Sequence, residues 1–254
     1  MPIQYVSVEE AITRVGLRMV VVGNVPSPWG EAVKGIFHLK RLEWVGVRLV
    51  YDNDALKKWT GGELSGPVVF HDKEHPRIGW AEILLLAERL APEPALLPAD
   101  PLEKSRVVTS CDLFCNQNGL GWARRLQTVH AGLNGQGGFP PRIAGYLGKK
   151  YGYTPETGAA AAGRVRELLG RFAGELRASR GPYYLGDRLT ALDVYSATFM
   201  GLFRPLPDEL CRIDPSIRGA FETLDDETRA ALDPVLLEHR DMMYAKHLET
   251  PLCL

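Results

Sequence analysis

The sequence has few cysteines, no excess of either charge and no long apolar run, and each shortage excludes a class of protein. Four cysteines in 254 residues are too few for a disulfide scaffold. The net charge is −1, from 30 Lys and Arg against 31 Asp and Glu, so nucleic acid and anionic membranes are not expected partners. Apolar runs such as residues 19–22 and 83–87 are far shorter than the ~20 residues that cross a bilayer. Because no signal peptide is visible either, we expect a cytoplasmic protein with reduced thiols.

The pattern of predicted secondary structure changes at a proline-rich stretch, which has four prolines from Pro92 to Pro101. Proline removes backbone donors and disfavours helix in the residue before it, so this stretch predicts an extended linker. Before it, strand patterns (residues 17–22, 44–51, 67–71 and a short one near Arg77) alternate with helix patterns (residues 30–42 and 81–90). After it, segments rich in Ala, Leu, Arg and Glu predict helices, one of them over residues 154–178 with Thr154 as its N-cap. The sequence therefore predicts an α/β domain (residues 1–90), a linker (91–101) and an all-α domain (102–254).

The first candidate for chemistry is Ser27, in the segment Ser27-Pro28-Trp29-Gly30 between the first predicted strand and helix. The segment has no thiol, which excludes dithiol redox chemistry there. A serine hydroxyl at a helix N-terminus can stabilise a ligand thiolate, because a hydrogen bond to a charged group is worth ~1.5–3 kcal/mol and the helix terminus ~0.3–1 kcal/mol. Together these would lower a thiol pKa by about one to three units. The alternative is that Ser27 serves only as the N-cap of the helix.

The second candidate is Gly66-Pro67, where a proline opens a predicted strand. Such a proline is either cis, which would turn the backbone of the preceding residue outward toward an extended peptide, or a trans residue on an edge strand. Sequence alone leaves both alternatives open.

Two further motifs predict structural roles. Thr190 and Asp193, three residues apart ahead of an apolar run, predict a capping box with Asp in place of Glu. His71 and His75 would join two metal ligands on a helix, but they fall at a predicted strand end and turn, so we expect an exposed turn and no metal.

These segments, in this order, resemble the cytosolic glutathione transferase superfamily over nearly the whole chain. The segment from Ser27 to Val33 looks like the Ser-Pro-Asn-Gly-x-Lys-Val of serine-type bacterial members, and Gly66-Pro67-Val68-Val69 looks like the cis-proline turn of the superfamily. Residues 80–90 are similar to its Glu-Ser-x-x-Ile-Ala-x-Tyr-Leu helix start, and residues 184–193 to its Tyr-Leu-x-Gly-Asp-x-x-Thr-x-Ala-Asp box. The resemblance implies a thioredoxin-like βαβαββα domain followed by an all-helical domain, usually in a homodimer.

The resemblance also implies roles for individual residues. Ser27 would face the sulfur of glutathione, with Gly66 and Pro67 at its cysteinyl backbone, Glu82 at its amino group and Trp29 at the wall of its site. Ile83 stands where the superfamily has a serine that binds the γ-glutamyl carboxylate, and only its backbone N–H would remain to face that anion. The first two helices of the helical domain would line the pocket for the second substrate, and the candidates there are Phe114, Trp122, Arg125 and Tyr146.

The function that these features predict is a glutathione transferase-like enzyme, in which Ser27 stabilises the glutathione thiolate for attack on a small electrophile. Glutathione would be a co-substrate, with no metal. Because Ile83 replaces the expected serine, and Ala32 a frequent lysine, a non-catalytic binding protein with the same fold is the alternative. A weaker alternative is a glutathione-dependent isomerase or lyase.

Overall fold

The computed structural model of the protein describes residues 3–63 and 65–254. Among the described residues before the linker, four strands alternate with four helices. The strands are β1 (Gln4–Tyr5), β2 (Leu17–Val21), β3 (Trp44–Arg48) and β4 (Val68–His71); the helices are α1 (Val8–Thr13), α2 (Pro28–Leu39), α3 (Asp54–Trp59) and α4 (Trp80–Leu90). The continuous apolar run that predicted the first strand lies in β2, every residue of which is buried.

The strands form one mixed sheet in the order β1-β3-β2-β4. β3 runs parallel to both β1 and β2, with Val45 paired to Gln4 on one side and to Arg18 on the other. β4 runs antiparallel to β2, with Met19 opposite Val69. The inner position of β2, with helices beside the sheet, explains why it shows no alternation of apolar and polar residues.

The predicted thioredoxin-like class is confirmed, and its element order is corrected in two places. The strand expected near Arg77 is a single bridge between Arg77 and Val69, directly after Pro76, which has no N–H to extend a ladder. The residue patterns did not predict β1, α1 or α3, although the βαβαββα order that the resemblance implies includes a helix at the place of α3. They are two, six and six residues long, too short for a period to separate them from loops.

Beyond the linker, the named elements of the described chain are all helical, as predicted. They are α5 (Pro101–Cys115), α6 (Leu120–Leu133), α7 (Pro141–Tyr151), α8 (Pro155–Ala178), α9 (Ala191–Phe199), a 3₁₀ turn (Met200–Leu202), α10 (Pro215–Glu222), α11 (Asp226–Ala231) and α12 (Pro234–Lys246). Thr154 caps α8 by accepting a hydrogen bond from the amide of Thr157, as a Thr-Pro helix start predicts. No helix in the described residues combines the length and apolarity needed to cross a bilayer.

The middle of the linker between α4 and α5, residues 96–98, is buried against the protein. Leu96 is 1% exposed, and its carbonyl accepts a hydrogen bond from the amide of Ala191 at the start of α9. The buried amine of Lys40 donates to the carbonyl of Ala91 at 2.7 Å and pairs with Glu88 at 2.6 Å. These contacts tie the linker to the end of α2 on one side and to the start of α9 on the other.

Close packing between α2 and α9 fixes the helix that begins at Ser27. A Cβ on Gly35 would lie 2.7 Å from Leu248 and 3.2 Å from Val194, so glycine lets the helices approach. At the other end of α2, the ring of Trp29 lies edge-on to Phe199 of α9, with 5.0 Å between ring centroids. The N-terminus of α2 is therefore held from the helical side.

Candidate active site

A cavity of about 630 Å³ lies between the sheet and the helical part of the chain. The N-terminus of α2 and the turn before β4 form one wall, and α6, α7 and α10 form the other. Seven of the residues predicted from the sequence line it: Ser27, Trp29, Gly66, Pro67, Trp122, Arg125 and Tyr146. The tertiary structure thus joins the predicted sites of both parts of the chain in one cavity.

The hydroxyl of Ser27 is not used to cap α2. Ser27 is the N-cap residue by its backbone, because its carbonyl accepts a hydrogen bond from the amide of Glu31 at 2.8 Å, but its side chain makes no capping hydrogen bond. Pro28 follows as the first helical residue, where its missing N–H costs nothing. The half-buried hydroxyl therefore stands at the positive end of a 12-residue helix and lines the cavity.

The Gly66–Pro67 peptide bond is cis, which decides between the two alternatives that the sequence left open. A Cβ on Gly66 would lie 3.2 Å from the carbonyl oxygen of Val20 and 3.3 Å from the amide nitrogen of Val22. Glycine therefore lets this turn lie directly against the end of β2. The turn borders the cavity on the same wall as Ser27.

Glu82 and Ile83 do not line the cavity, contrary to the prediction. Glu82 is exposed, and its carboxylate accepts hydrogen bonds from the amides of Ile78 and Gly79 at 3.3 and 3.4 Å, at the N-terminus of α4. Ile83 is fully buried, and its amide donates to the carbonyl of Gly79 at 3.1 Å. The reason is the helix start: α4 begins at Trp80, one residue earlier than predicted, so the amide of Ile83 closes the first turn. The residue of this segment that lines the cavity is Ile78, just before the N-cap of α4.

Phe114 is also corrected, because it belongs to the core. It is fully buried, its ring stacks on Phe172 with centroids 3.9 Å apart, and it lies edge-on to Phe199. Phe114 thus lies on the face of α5 that packs against α8 and α9.

The helical wall of the cavity carries charged and phenolic groups that the sequence analysis missed, among them Lys150 and Tyr151 of α7. Burial lowers the pKa of the Lys150 amine, the charge of Arg125 lowers it further, and Glu63 across the cavity opposes both. Burial, with a hydrogen bond to Tyr146, raises the pKa of Tyr51 to about 12, so this phenol stays neutral. The helical spacing of α7 could have revealed Lys150 and Tyr151, because positions 143, 146, 147, 150 and 151 share one face of this helix.

The capping box at α9 has the predicted members with a different pattern of hydrogen bonds. The amide of Thr190 donates to the carboxylate of Asp193 at 2.8 Å, and the hydroxyl of Thr190 donates to the same oxygen at 2.9 Å. Asp193 is fully buried and also accepts from the amide of Tyr184 and from Nε2 of His239, at 3.0 and 3.1 Å. Its carboxylate therefore joins α9 to α12 and to the loop before α9.

A small mixed sheet followed by an all-helical part is the arrangement of the glutathione transferase fold, and solved structures with that fold match this chain. A glutathione S-transferase from Methylobacterium radiotolerans, solved with glutathione sulfonate, matches at 21% identity and a TM-score of 0.62, covering 91% of this chain and 92% of its own. A glutathione transferase family member from Pseudomonas fluorescens, with two glutathione molecules bound, matches at 12% identity and a TM-score of 0.65, covering 94% of each chain.

A glutathione S-transferase from Methylobacillus flagellatus, solved with glutathione bound, matches at 14% identity and a TM-score of 0.63, covering 90% of this chain and 94% of its own. No protein-family model and no curated protein matches the sequence. At these identities the likeness establishes the fold.

Proposed function

We propose that this protein is a glutathione-dependent enzyme in which the hydroxyl of Ser27 stabilises the glutathione thiolate. One observation carries the proposal: the Ser27 side chain makes no capping hydrogen bond, although it stands at a helix N-terminus and lines the cavity. The Gly66–Pro67 turn on the same wall supports it, as do the solved structures of this fold that hold glutathione or its sulfonate.

The proposed reaction is a substitution at an electrophilic carbon. The thiol of bound glutathione loses its proton to solvent, and the Ser27 hydroxyl donates a hydrogen bond to the resulting thiolate. The sulfur electron pair forms a C–S bond as the bond from that carbon to its leaving group breaks, and the leaving group departs with the electron pair of the broken bond. The backbone of Gly66 would hold the cysteinyl part of glutathione, and Trp122 and Tyr146 of the helical wall would contact the electrophile.

The γ-glutamyl end of glutathione would be held more weakly than the resemblance implies. Glu82 and Ile83 lie outside the cavity, and the N-cap of α4 is Gly79, which has no side-chain donor. One missing hydrogen bond to a charged group lowers affinity by about tenfold to a hundredfold. The same observation favours the second candidate, a non-catalytic binding protein. Calorimetric titration separates the two, because that candidate predicts no heat with glutathione at millimolar concentration.

The test of the Ser27 role is titration of the ultraviolet absorbance of bound thiolate in wild type and Ser27→Ala. Loss of a hydrogen bond to a charged group should raise the pKa of bound glutathione by about one to two units. Ser7→Ala is the matched control, because Ser7 is the N-cap of α1 and does use its side chain, which accepts from the amide of Glu10. Ser7→Ala should destabilise the protein by about 1 kcal/mol without moving the thiolate titration. An unshifted titration in Ser27→Ala would remove the proposed role.

A further inference from the structure

Arg125 of α6 is a buried cation that has no carboxylate partner in the described part of the chain. It is 8% exposed, and its guanidinium carbon lies 4.9 Å from the ring centroid of Phe221 and 5.6 Å from that of Phe139. Burial lowers its pKa, and Tyr151 opposes this electrostatically and through a hydrogen bond. Because a buried charge is costly unless it is paired, this guanidinium at the cavity wall is poised for an anion.

Lys150 places a second cation on the same wall. It lines the cavity one turn from Tyr146 on α7, close enough to Arg125 for the two charges to influence each other. Among the described lining residues, Glu63 is the single carboxylate, against the two cations. The helical side of the cavity therefore keeps a net positive charge.

Aromatic rings surround these two cations. Seven of the described lining residues are aromatic. Trp122 and Tyr151 lie edge-on with centroids 4.7 Å apart, and Tyr51 and Tyr146 lie edge-on at 6.0 Å. Ring faces and edges of this kind favour a flat unsaturated ligand over a flexible aliphatic one.

We propose that Arg125 and Lys150 form a carboxylate-binding subsite and that the co-substrate of the enzyme is a small aromatic acid. This inference rests on the proposed function, because it names the class of electrophile that the same cavity takes. The carboxylate lies between the guanidinium and the amine, and the ring packs among Trp122, Tyr146 and Tyr151. The subsite lies on the helical wall, whereas Ser27 and Gly66 lie on the sheet side, so the acid and the thiol meet inside the cavity.

The test uses benzoate and the neutral benzamide as probes, with binding followed by the fluorescence of the cavity tryptophans. Wild type should bind benzoate at least about tenfold more tightly than benzamide, since a charged hydrogen bond is worth that much affinity. Lys150→Met and Arg125→Gln should each weaken benzoate by about tenfold to a hundredfold and leave benzamide unchanged. Lys149→Met is the matched control, because Lys149 is the exposed neighbour on α7 and should not change either affinity. If Arg125→Gln does not fold, the benzoate affinity of Lys150→Met tests the proposal, because Lys150 is only half-buried. Equal binding of benzoate and benzamide, or benzoate binding to Lys150→Met as tight as to wild type, would overturn the proposal.

The same two cations could instead take a carboxylate of glutathione. Benzoate binding is therefore repeated at saturating glutathione. An unchanged benzoate affinity supports an acid co-substrate. If glutathione and benzoate exclude each other in wild type but not in Lys150→Met, the proposal of an acid co-substrate is overturned. The benzoate titration without glutathione also keeps the two proposals separate. A lysine-dependent benzoate site together with an unshifted Ser27→Ala thiolate titration would leave the subsite standing and remove the proposed function. Benzoate binding that does not depend on Lys150, together with a shifted Ser27→Ala thiolate titration, would remove the subsite and leave the proposed function standing.

Discussion

Replacing Asp193 by Ala should be among the most damaging single substitutions in this protein. The Asp193 carboxylate is fully buried and accepts four hydrogen bonds, two from Thr190, one from the amide of Tyr184 and one from Nε2 of His239. Removing the acceptor leaves these donors buried without a partner. It also loosens the start of α9, the helix against which α2 and its Ser27 terminus are packed.

The expected loss is about 3–5 kcal/mol of unfolding free energy. A hydrogen bond to a charged group contributes ~1.5–3 kcal/mol, so four of them set an upper limit well above this figure. The variant also avoids the free-energy cost of desolvating the carboxylate, which offsets part of that sum. Removal of one member of a buried charged network typically costs ~3–5 kcal/mol. Asp214→Ala is the matched control. Asp214 is an exposed N-cap of α10 that accepts from Ser216, and its loss should cost about 1 kcal/mol.

The assay is equilibrium urea unfolding of wild type and both variants, followed by far-ultraviolet circular dichroism. With unchanged slopes, the shift of the midpoint gives the change in free energy. If Asp193→Ala lost no more stability than Asp214→Ala, the four hydrogen bonds would not stabilise the fold as argued.

Two further predictions concern pH and packing. Hydrogen bonds from Arg89 and two other basic side chains lower the pKa of Glu74 from its ordinary value of 4.5 to about 2. Because the pKa of Glu74 is lower in the folded state, its contribution to stability is present above pH 4.5 and is lost as the pH falls toward 2. Between pH 5 and pH 3, Glu74→Gln should therefore lose less stability than wild type. Urea midpoints that fall in parallel for the two proteins would contradict this. A Cβ on Gly121 would lie 2.4 Å from the ring of Phe199, so Gly121→Ala should destabilise by about 1–3 kcal/mol in urea unfolding. Gly170→Ala on α8, where a Cβ meets nothing within 4 Å, should instead stabilise by about 0.5–1 kcal/mol, and the reverse order would refute the packing argument.

Most of the fold could be predicted because its signals are local. The linker prolines, the buried run of β2 and the Thr154 cap of α8 each depend on residues within a few positions, and the structure has all three. The predictions for Glu82 and Ile83 were wrong because they depended on the position of the helix start. When that start moves by one residue, a different backbone amide is left free. Phe114 was misplaced because spacing alone does not say which side of α5 faces the core and which faces a cavity.

The sequence by itself predicted a change from an α/β to a helical pattern at the proline-rich linker, helices that follow Ser27 and Thr190, and the absence of a thiol at Ser27-Pro28-Trp29-Gly30. Those features follow from backbone chemistry over neighbouring residues. Only the tertiary structure decided that Ser27 leaves its hydroxyl free, that Gly66–Pro67 is cis, and that Arg125 and Lys150 share a cavity with Ser27. These depend on contacts between segments far apart in the chain, where packing and burial, rather than local propensity, set the conformation and the charge.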